Sequence, residues 1–392
     1  MKEGGGVSLQ KYNRLKLYLS IVAISFIQGL QYSVSPILGD IKEHYPDVDV
    51  SLVQMLITAP GLLSMAVSLA SGWLVLKITK KQMLIFGALI AGITGFIPFL
   101  SDSFALLFGA RTLYGIGLGI ATTMNVAVVA EFFEGNERVK AMGVQAASVG
   151  AGMVAATTAA GMLGKGGFRN AYFVNIIGFI SMIILLACLP ETGVSKQNNT
   201  EKIRLNKRVL LMDLFGILEF LFLITFTTNI AMHLSGEIAG DSSVSGILTG
   251  CFSGSQIVIG ILLGAFTKVT KKYTLSAAMA SFSIGALILI LFPDNALLLA
   301  AGAVFCGFSQ GIFIPTASTY IANVVPSVAT AFAAATFTVA MNVGQLISPT
   351  VLNGISKAVF GETTTTGVYI LAAAGMLLAA AAMAWWQKAQ AE

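Results

Sequence analysis

Long apolar runs, separated by short clusters of charged and turn-forming residues, recur along the whole sequence. The runs are continuous rather than alternating in polarity, which predicts helices and not strands. A bilayer core of about 30 Å takes about 20 apolar residues per helix. Twelve spans are expected on that basis, near 16–38, 50–76, 82–100, 104–130, 140–163, 169–189, 210–234, 244–267, 273–293, 295–323, 328–355 and 365–387. The pieces at 50–76 and 295–323 are long and must tilt or extend beyond a bilayer. The first span is not read as a cleavable signal, because polar residues interrupt it and no small-residue cleavage site follows. The fold class expected is an all-α membrane protein with twelve transmembrane helices.

Composition sharpens this picture. Of 392 residues, 56% are hydrophobic and only 10% charged, against roughly 25% charged in soluble domains. That leaves too little charge to clothe soluble domains and too much apolar surface for disorder. Cys188, Cys251 and Cys306 lie far apart in apolar stretches, without disulfide or metal-ligand spacing. Two histidines support neither a metal centre nor a catalytic relay, so neither an intramembrane enzyme nor a cofactor is expected. No Gly-x-x-x-x-Gly-Lys-Ser/Thr motif is present, which excludes an ATP-driven pump. A sensor or scaffold that keeps a transporter fold without transport is the remaining non-carrier class.

Basic residues set the expected orientation. The amino terminus and the connections after even-numbered spans, with Lys388, hold 18 of the 23 lysines and arginines. Only Lys42, Lys165, Arg169 and Lys357 fall on the other side, and Arg111 is embedded. Both termini are therefore expected in the cytoplasm, with the chain spanning an inner (plasma) membrane. The net charge of +5 reflects this bias and calls for no nucleic-acid partner.

The polar stretch 190–209 divides the spans six and six, giving an expected first bundle over 1–189, a cytoplasmic linker over 190–209 and a second bundle over 210–392. The halves echo one another. Lys77-Ile78-Thr79-Lys80-Lys81 recurs as Lys268-Val269-Thr270-Lys271-Lys272 at a shift of 191, and Gly115 and Gly119 match Gly307 and Gly311 at a shift of 192. Repeated halves with a site between them near the bilayer midplane are the usual construction of secondary transporters.

Over nearly its full length the chain resembles the major facilitator superfamily. The most specific match is Arg111-Thr-Leu-Tyr-Gly115-Ile-Gly117-Leu-Gly119, which is similar to that family's arginine-and-glycines signature, particularly in its twelve-span drug:proton antiporters. The loop from Gly72 to Lys81 resembles the family's cytoplasmic loop signature, with Leu76 in place of the usual aspartate and Thr79 in place of the second glycine. The fifth span keeps Gly143, Gly152 and Gly161 of the antiporter signature, with Thr157 where its proline is expected and Ala156 and Ala160 replacing glycines. The resemblance implies two pseudo-symmetric six-helix bundles, alternating access and a role for Arg111 in a proton-coupled hydrogen-bond network.

A charge at the centre of a membrane helix costs about 2.5–3.5 kcal/mol on insertion scales, so Arg111 and Glu219 stand out. Glu219 shares a helical stripe with Phe222, Leu223, Phe226, Ile230 and His233, expected to face a cavity. There the acid is expected to take up and release a coupling proton, unless it is a hydrogen-bonded packing residue. Arg111, Tyr114, Thr122 and Asn125 fall on one face. Arg111 either clamps an anion, holds a proton-coupled network or packs helices. Span one presents Ser25, Gln28, Gln31, Tyr32 and Ser35; span eleven presents Thr338, Asn342 and Gln345; span eight adds Ser253 and Gln256. Such groups join helices or line a wet cavity. Beside Phe222, Phe226 and Phe313 they suit an amphiphilic or neutral organic molecule. Gly72, Gly115, Gly119, Gly152, Gly307, Gly311, Gly344 and Pro349 are read as packing or gating positions. The expected function is proton-coupled export of such compounds by a monomer whose partners are a small-molecule substrate, protons and the lipid bilayer. The alternative is a symporter or uniporter for one organic anion, nucleoside or sugar.

Overall fold

The computed structural model describes residues 13–194, 206–325 and 330–389. Residues 195–205, most of the expected linker, lie outside the described residues, as do Lys2, Lys11, Lys196, Lys202 and Arg204. Among the described residues there is no strand. Ten segments are long and apolar enough to cross a membrane, and one of them, Ser242–Leu291, is 50 residues long. It folds back on itself at Lys271, where a φ of 49° ends one helix. With that segment divided and Thr330–Phe360 added, the described helices form twelve long passes.

The first six passes are Arg14–His44, Val50–Leu74, Lys80–Phe99, Phe104–Phe132, Gly135–Gly164 and Phe168–Cys188. The last six are Lys207–His233, Ser242–Thr270, Thr274–Leu291, Ala296–Val324, Thr330–Phe360 and Thr365–Ala389. Side chains start them: Asn13, Asp49, Asn206, Asp241 and Asn295 each accept from a backbone N–H in the following first turn, and Thr79 with Gln82 forms a capping box. These caps satisfy donors that a helix terminus leaves free. An even number of passes puts both described ends on one side, the terminal face; the opposite side is the far face.

The breaks within passes were not foreseen. The first pass tightens at Leu30–Tyr32 and again at Ser35–Ile37, where Pro36 removes a donor, and then runs on to His44. The second bends at Ala59, because Pro60 has no N–H to return to Leu56. The seventh is interrupted at Ile224. These breaks free backbone carbonyls inside the protein, and the functional site is built on them.

Two apolar cores form. One is drawn from Leu17 to Leu189 with Ile224 and Ala231; the other runs from Val209 to Met383. Outside them, Leu69, Leu100, Ile183, Leu297 and Leu378 are exposed, a surface that water would not tolerate in a monomer and that acyl chains cover.

The repeat is visible in the packing. A Cβ on Gly119 would lie 2.6 Å from the Ser64 carbonyl, and one on Gly115 would strike that of Pro60, so the fourth pass lies backbone-to-backbone on the second. Gly307 and Gly311 set the tenth pass on the eighth, against Phe252 and Gln256. Gly152 packs on Phe26 of the first pass, and Gly344, again 192 positions later, on Ile217 of the seventh. Close approach of helices needs small residues at such points. These six glycines thus stand at points of close helix contact. Gly72 lies inside the helix Pro60–Leu74 and Pro349 inside Thr330–Phe360.

Candidate functional site

Arg111 is buried in the fourth pass at the level of two helix breaks. Its Nε donates to the Leu56 carbonyl at 2.9 Å and its Nη2 to the Gln31 carbonyl at 2.6 Å. Leu56 is the residue whose helical partner would be the N–H that Pro60 lacks. The guanidinium therefore satisfies carbonyls that the bends release. Its carbon lies 5.0 Å from the centre of the Tyr114 ring, and the Tyr114 hydroxyl donates to the Ile27 carbonyl at 2.5 Å. The remaining Nη1 has no hydrogen-bond partner among the described residues. Lower on the same pair of passes, Asn125 donates to Ser25 at 2.9 Å and Gln28 to the Ala121 carbonyl at 3.2 Å.

Glu219 is fully buried between the seventh and tenth passes. One carboxyl oxygen accepts from the Ser309 hydroxyl at 2.6 Å; the other has no partner among the described residues. The next residue, Gln310, accepts from Gln256 at 3.1 Å and meets the Tyr32 hydroxyl across the interface between the halves. Tyr32 follows Gln31, whose carbonyl holds Arg111. The embedded cation and acid thus stand at either end of a row of neighbours: Arg111 donates to the Gln31 carbonyl, Tyr32 lies beside Gln310, and Ser309 donates to Glu219.

The stripe containing Glu219 does not open onto a cavity between the halves, as expected, but faces the interior of the second half. Phe226 stacks on Phe252 with ring centres 4.8 Å apart, Phe222 lies against Gly375 of the twelfth pass, and His233 is held by Thr365 and the Leu289 carbonyl, each at 2.9 Å. Phe313 is buried against Phe337. These aromatics are core residues because the second half packs its rings inward. Asn342 is half-buried with its Oδ1 3.9 Å from where a Cβ on Gly61 would sit, so it does face the other half. Gln345 is buried with an unpartnered Nε2.

Between the halves, contacts gather at the far face. Gln54 donates to Asn229 at 2.8 Å, and Asn353 donates to Gln54 at 2.7 Å and to Ser51 at 3.0 Å. Ser35 donates to the Thr227 carbonyl, Ser245 to that of Pro36 and Ser242 to that of Gly161. At the rim Lys165 lies 3.5 Å from Asp241. The Asp241 carboxyl is held below the usual carboxylate range, first by the Ser243 hydroxyl, then by the N–H groups of Val244 and Ser243 and the charge of Lys165. Towards the terminal face the fifth and eighth passes part: Gly246 and Gly161 touch, whereas a Cβ on Gly143, Gly260 or Gly264 would meet nothing within 4 Å. The molecule is closed at one face and splayed at the other.

Gln54, Asn229 and Asn353 come from the second, seventh and eleventh passes, so the amide cluster is a latch across both halves. Each of its net bonds is worth about 0.5–1.5 kcal/mol. Replacing Asn353 by leucine breaks two, and is expected to populate a state opened at the far face. The check is the distance between spin labels on Glu43→Cys and Glu237→Cys, with the three natural cysteines replaced: it lengthens and broadens in Asn353→Leu, and an unchanged distribution removes the latch role. Sequence reasoning passed over Gln54, Asn229, Ser309, Gln310 and Asn353. Each is a polar residue inside an apolar run, the same signal that selected Gln28.

A helical membrane protein with repeated six-pass halves, charged groups buried at depth and one face closed belongs to the class of secondary transporters. The chain is a member of the Major Facilitator Superfamily, whose family model matches residues 18–232 and 213–391. It is similar to the riboflavin transporter RibZ of Clostridioides difficile (strain 630), 27% identical over 155 residues, 39% of this chain and 34% of that protein. It is also similar to multidrug resistance protein 2 of Bacillus subtilis (strain 168), 26% identical over 148 residues, 38% of this chain and 36% of that one. The matched region spans about a third of the length of these curated relatives. The solved nucleoside transporter NupG shares the fold, with a TM-score of 0.76, 17% identity and coverage of 94% of this chain and 98% of that one. Membership places the chain in a family of transport proteins.

Proposed function

We propose that the protein is a proton-coupled exporter of neutral or amphiphilic organic compounds, working by alternating access between two six-helix bundles. The observation that carries this reading is Glu219, a fully buried carboxyl with one oxygen held by Ser309 and the other without a partner among the described residues. A carboxyl buried beside a serine, with no cation in contact, is costly to hold ionised, so it is a group on which a proton can travel. The polar groups near the interface, Tyr32, Gln256, Gln310, Asn342 and Gln345, are uncharged, which matches an uncharged cargo and gives no counter-ion to an organic anion. The relatives' names, a riboflavin transporter and a multidrug resistance protein, support a cargo of organic compounds.

The lysine and arginine bias places both termini in the cytoplasm. The splayed terminal face then opens inward, the state from which an exporter loads its cargo. The residues before 190 form one moving body and those after 209 the other, with the stretch between them as the cytoplasmic linker, and the chain acts as a monomer.

The test is a flux panel in proteoliposomes under an imposed pH gradient. Exchange of several neutral aromatic compounds for protons is expected. Saturable use of one nucleoside, sugar or organic anion, with no flux of the others, overturns export in favour of a dedicated metabolite carrier.

A further inference from the structure

Where the fifth and eighth passes part, a cavity of about 450 Å³ opens between them and the tenth, within the size range of small-molecule sites. Its walls are apolar: Met153 on the fifth pass, Ile257 and Ile261 on the eighth, Ile314 and Pro315 on the tenth. Ala146, Ala147 and Gly150 give the fifth pass a flat surface there. No lining residue carries a charge. At its head stand two amides, Gln256 and Gln310. Gln310 is buried and accepts from Gln256 at 3.1 Å. Gln256 is half-buried, and its carbonyl oxygen and second N–H have no partner among the described residues.

Fixed by Gln310, the Gln256 amide presents an acceptor and a donor in a space whose lining carries no charge. A charged solute entering it would be desolvated without a counter-charge. A solute with only an acceptor would leave the Gln256 oxygen unpaired. A flat ring carrying a lactam edge answers both groups at once, N–H to the Gln256 oxygen and carbonyl to its N–H, while its faces lie against the alanines and the isoleucines. We infer that this wedge is a binding site for flat, uncharged solutes bearing a lactam or amide edge, with Gln256 as the group that reads the edge. The inference rests on the transport reading and names the class of cargo for it.

The test is equilibrium binding to the full chain in lipid nanodiscs, read by the fluorescence of carbostyril, a neutral bicyclic lactam. N-methylcarbostyril keeps the carbonyl and loses the N–H; N-methylquinolinium keeps the shape and is a cation. Carbostyril is expected to bind about tenfold more tightly than its N-methyl derivative, the worth of one hydrogen bond, and the cation not at all. Gln256→Leu is expected to abolish the preference between the two neutral probes. Gly260→Leu and Gly143→Leu, placed on opposite walls where an added Cβ meets nothing within 4 Å, are expected to block both probes while leaving the helices packed. Equal binding of the two neutral probes, a preference that survives Gln256→Leu, or binding that survives both glycine substitutions overturns the inference; the first of these marks an apolar groove that lipid chains fill. Proton-driven flux of other compounds, measured separately, stands or falls without this result, so the two readings fail independently.

Discussion

Replacing Arg111 by leucine is expected to abolish transport and to lower thermal stability, because two buried carbonyls lose their donor together. Each carbonyl left unpaired costs about 1–3 kcal/mol, and those of Leu56 and Gln31 are both held by the one guanidinium. Arg111→Lys is expected to recover only part of the loss, since an ammonium cannot span both acceptors as the planar fork does. The decisive variant is Pro60→Ala. It restores an N–H four residues after Leu56, so the carbonyl regains a helical partner and no longer depends on Arg111. The double variant is therefore expected to be less destabilised than the sum of the two single ones. Apparent Tm of the purified protein, taken as a double-mutant cycle, gives the answer. Additive losses would mean that Arg111 acts on charge alone and not on the bend.

That dependence explains what was legible in the sequence and what was not. The twelve passes, the two cores and the glycine contacts follow from run length and spacing, because a bilayer leaves the backbone few alternatives. Gly152 and Gly344 illustrate the limit. Both were marked as small residues, yet their equivalence at the same shift as Gly115 and Gly307 emerged only when each was seen packed on the first pass of its own half. Proline gave a second partial signal. Pro60 bends the second pass, a signal not used at the sequence level, and the group that repairs the bend is Arg111, 55 positions beyond the freed Leu56 carbonyl. Helical periodicity failed where it was asked to say what a face meets. The expected Glu219 stripe runs across the break at Ile224 and its members meet different passes, since a moment identifies a face without saying which neighbour covers it. The latch was missed for a related reason: Gln54, Asn229 and Asn353 are isolated along the chain and become a cluster only when the two halves close.

Glu219→Gln is expected to eliminate proton-driven flux while leaving the fold and cargo exchange in place. The amide keeps the size of the side chain and an oxygen to accept from Ser309, and it needs no counter-ion at depth. What it removes is the exchangeable proton. If Glu219 carries the proton, proteoliposomes with the variant fall to background under a pH gradient, but counterflow of labelled against unlabelled cargo continues. Glu219→Ala differs: it empties space in a packed core and leaves the Ser309 hydroxyl without its acceptor, so stability drops as well as flux. Comparing the two separates a proton carrier from a packing residue. Full gradient-driven flux in Glu219→Gln assigns the acid to packing and moves the proton's route elsewhere. Loss of counterflow together with driven flux shows instead that its ionisation shapes the cavity. Only the split, driven flux lost and exchange kept, fits a carboxyl whose second oxygen has no partner in the chain and whose first is tied through Ser309 to the helix that meets the other half at Tyr32.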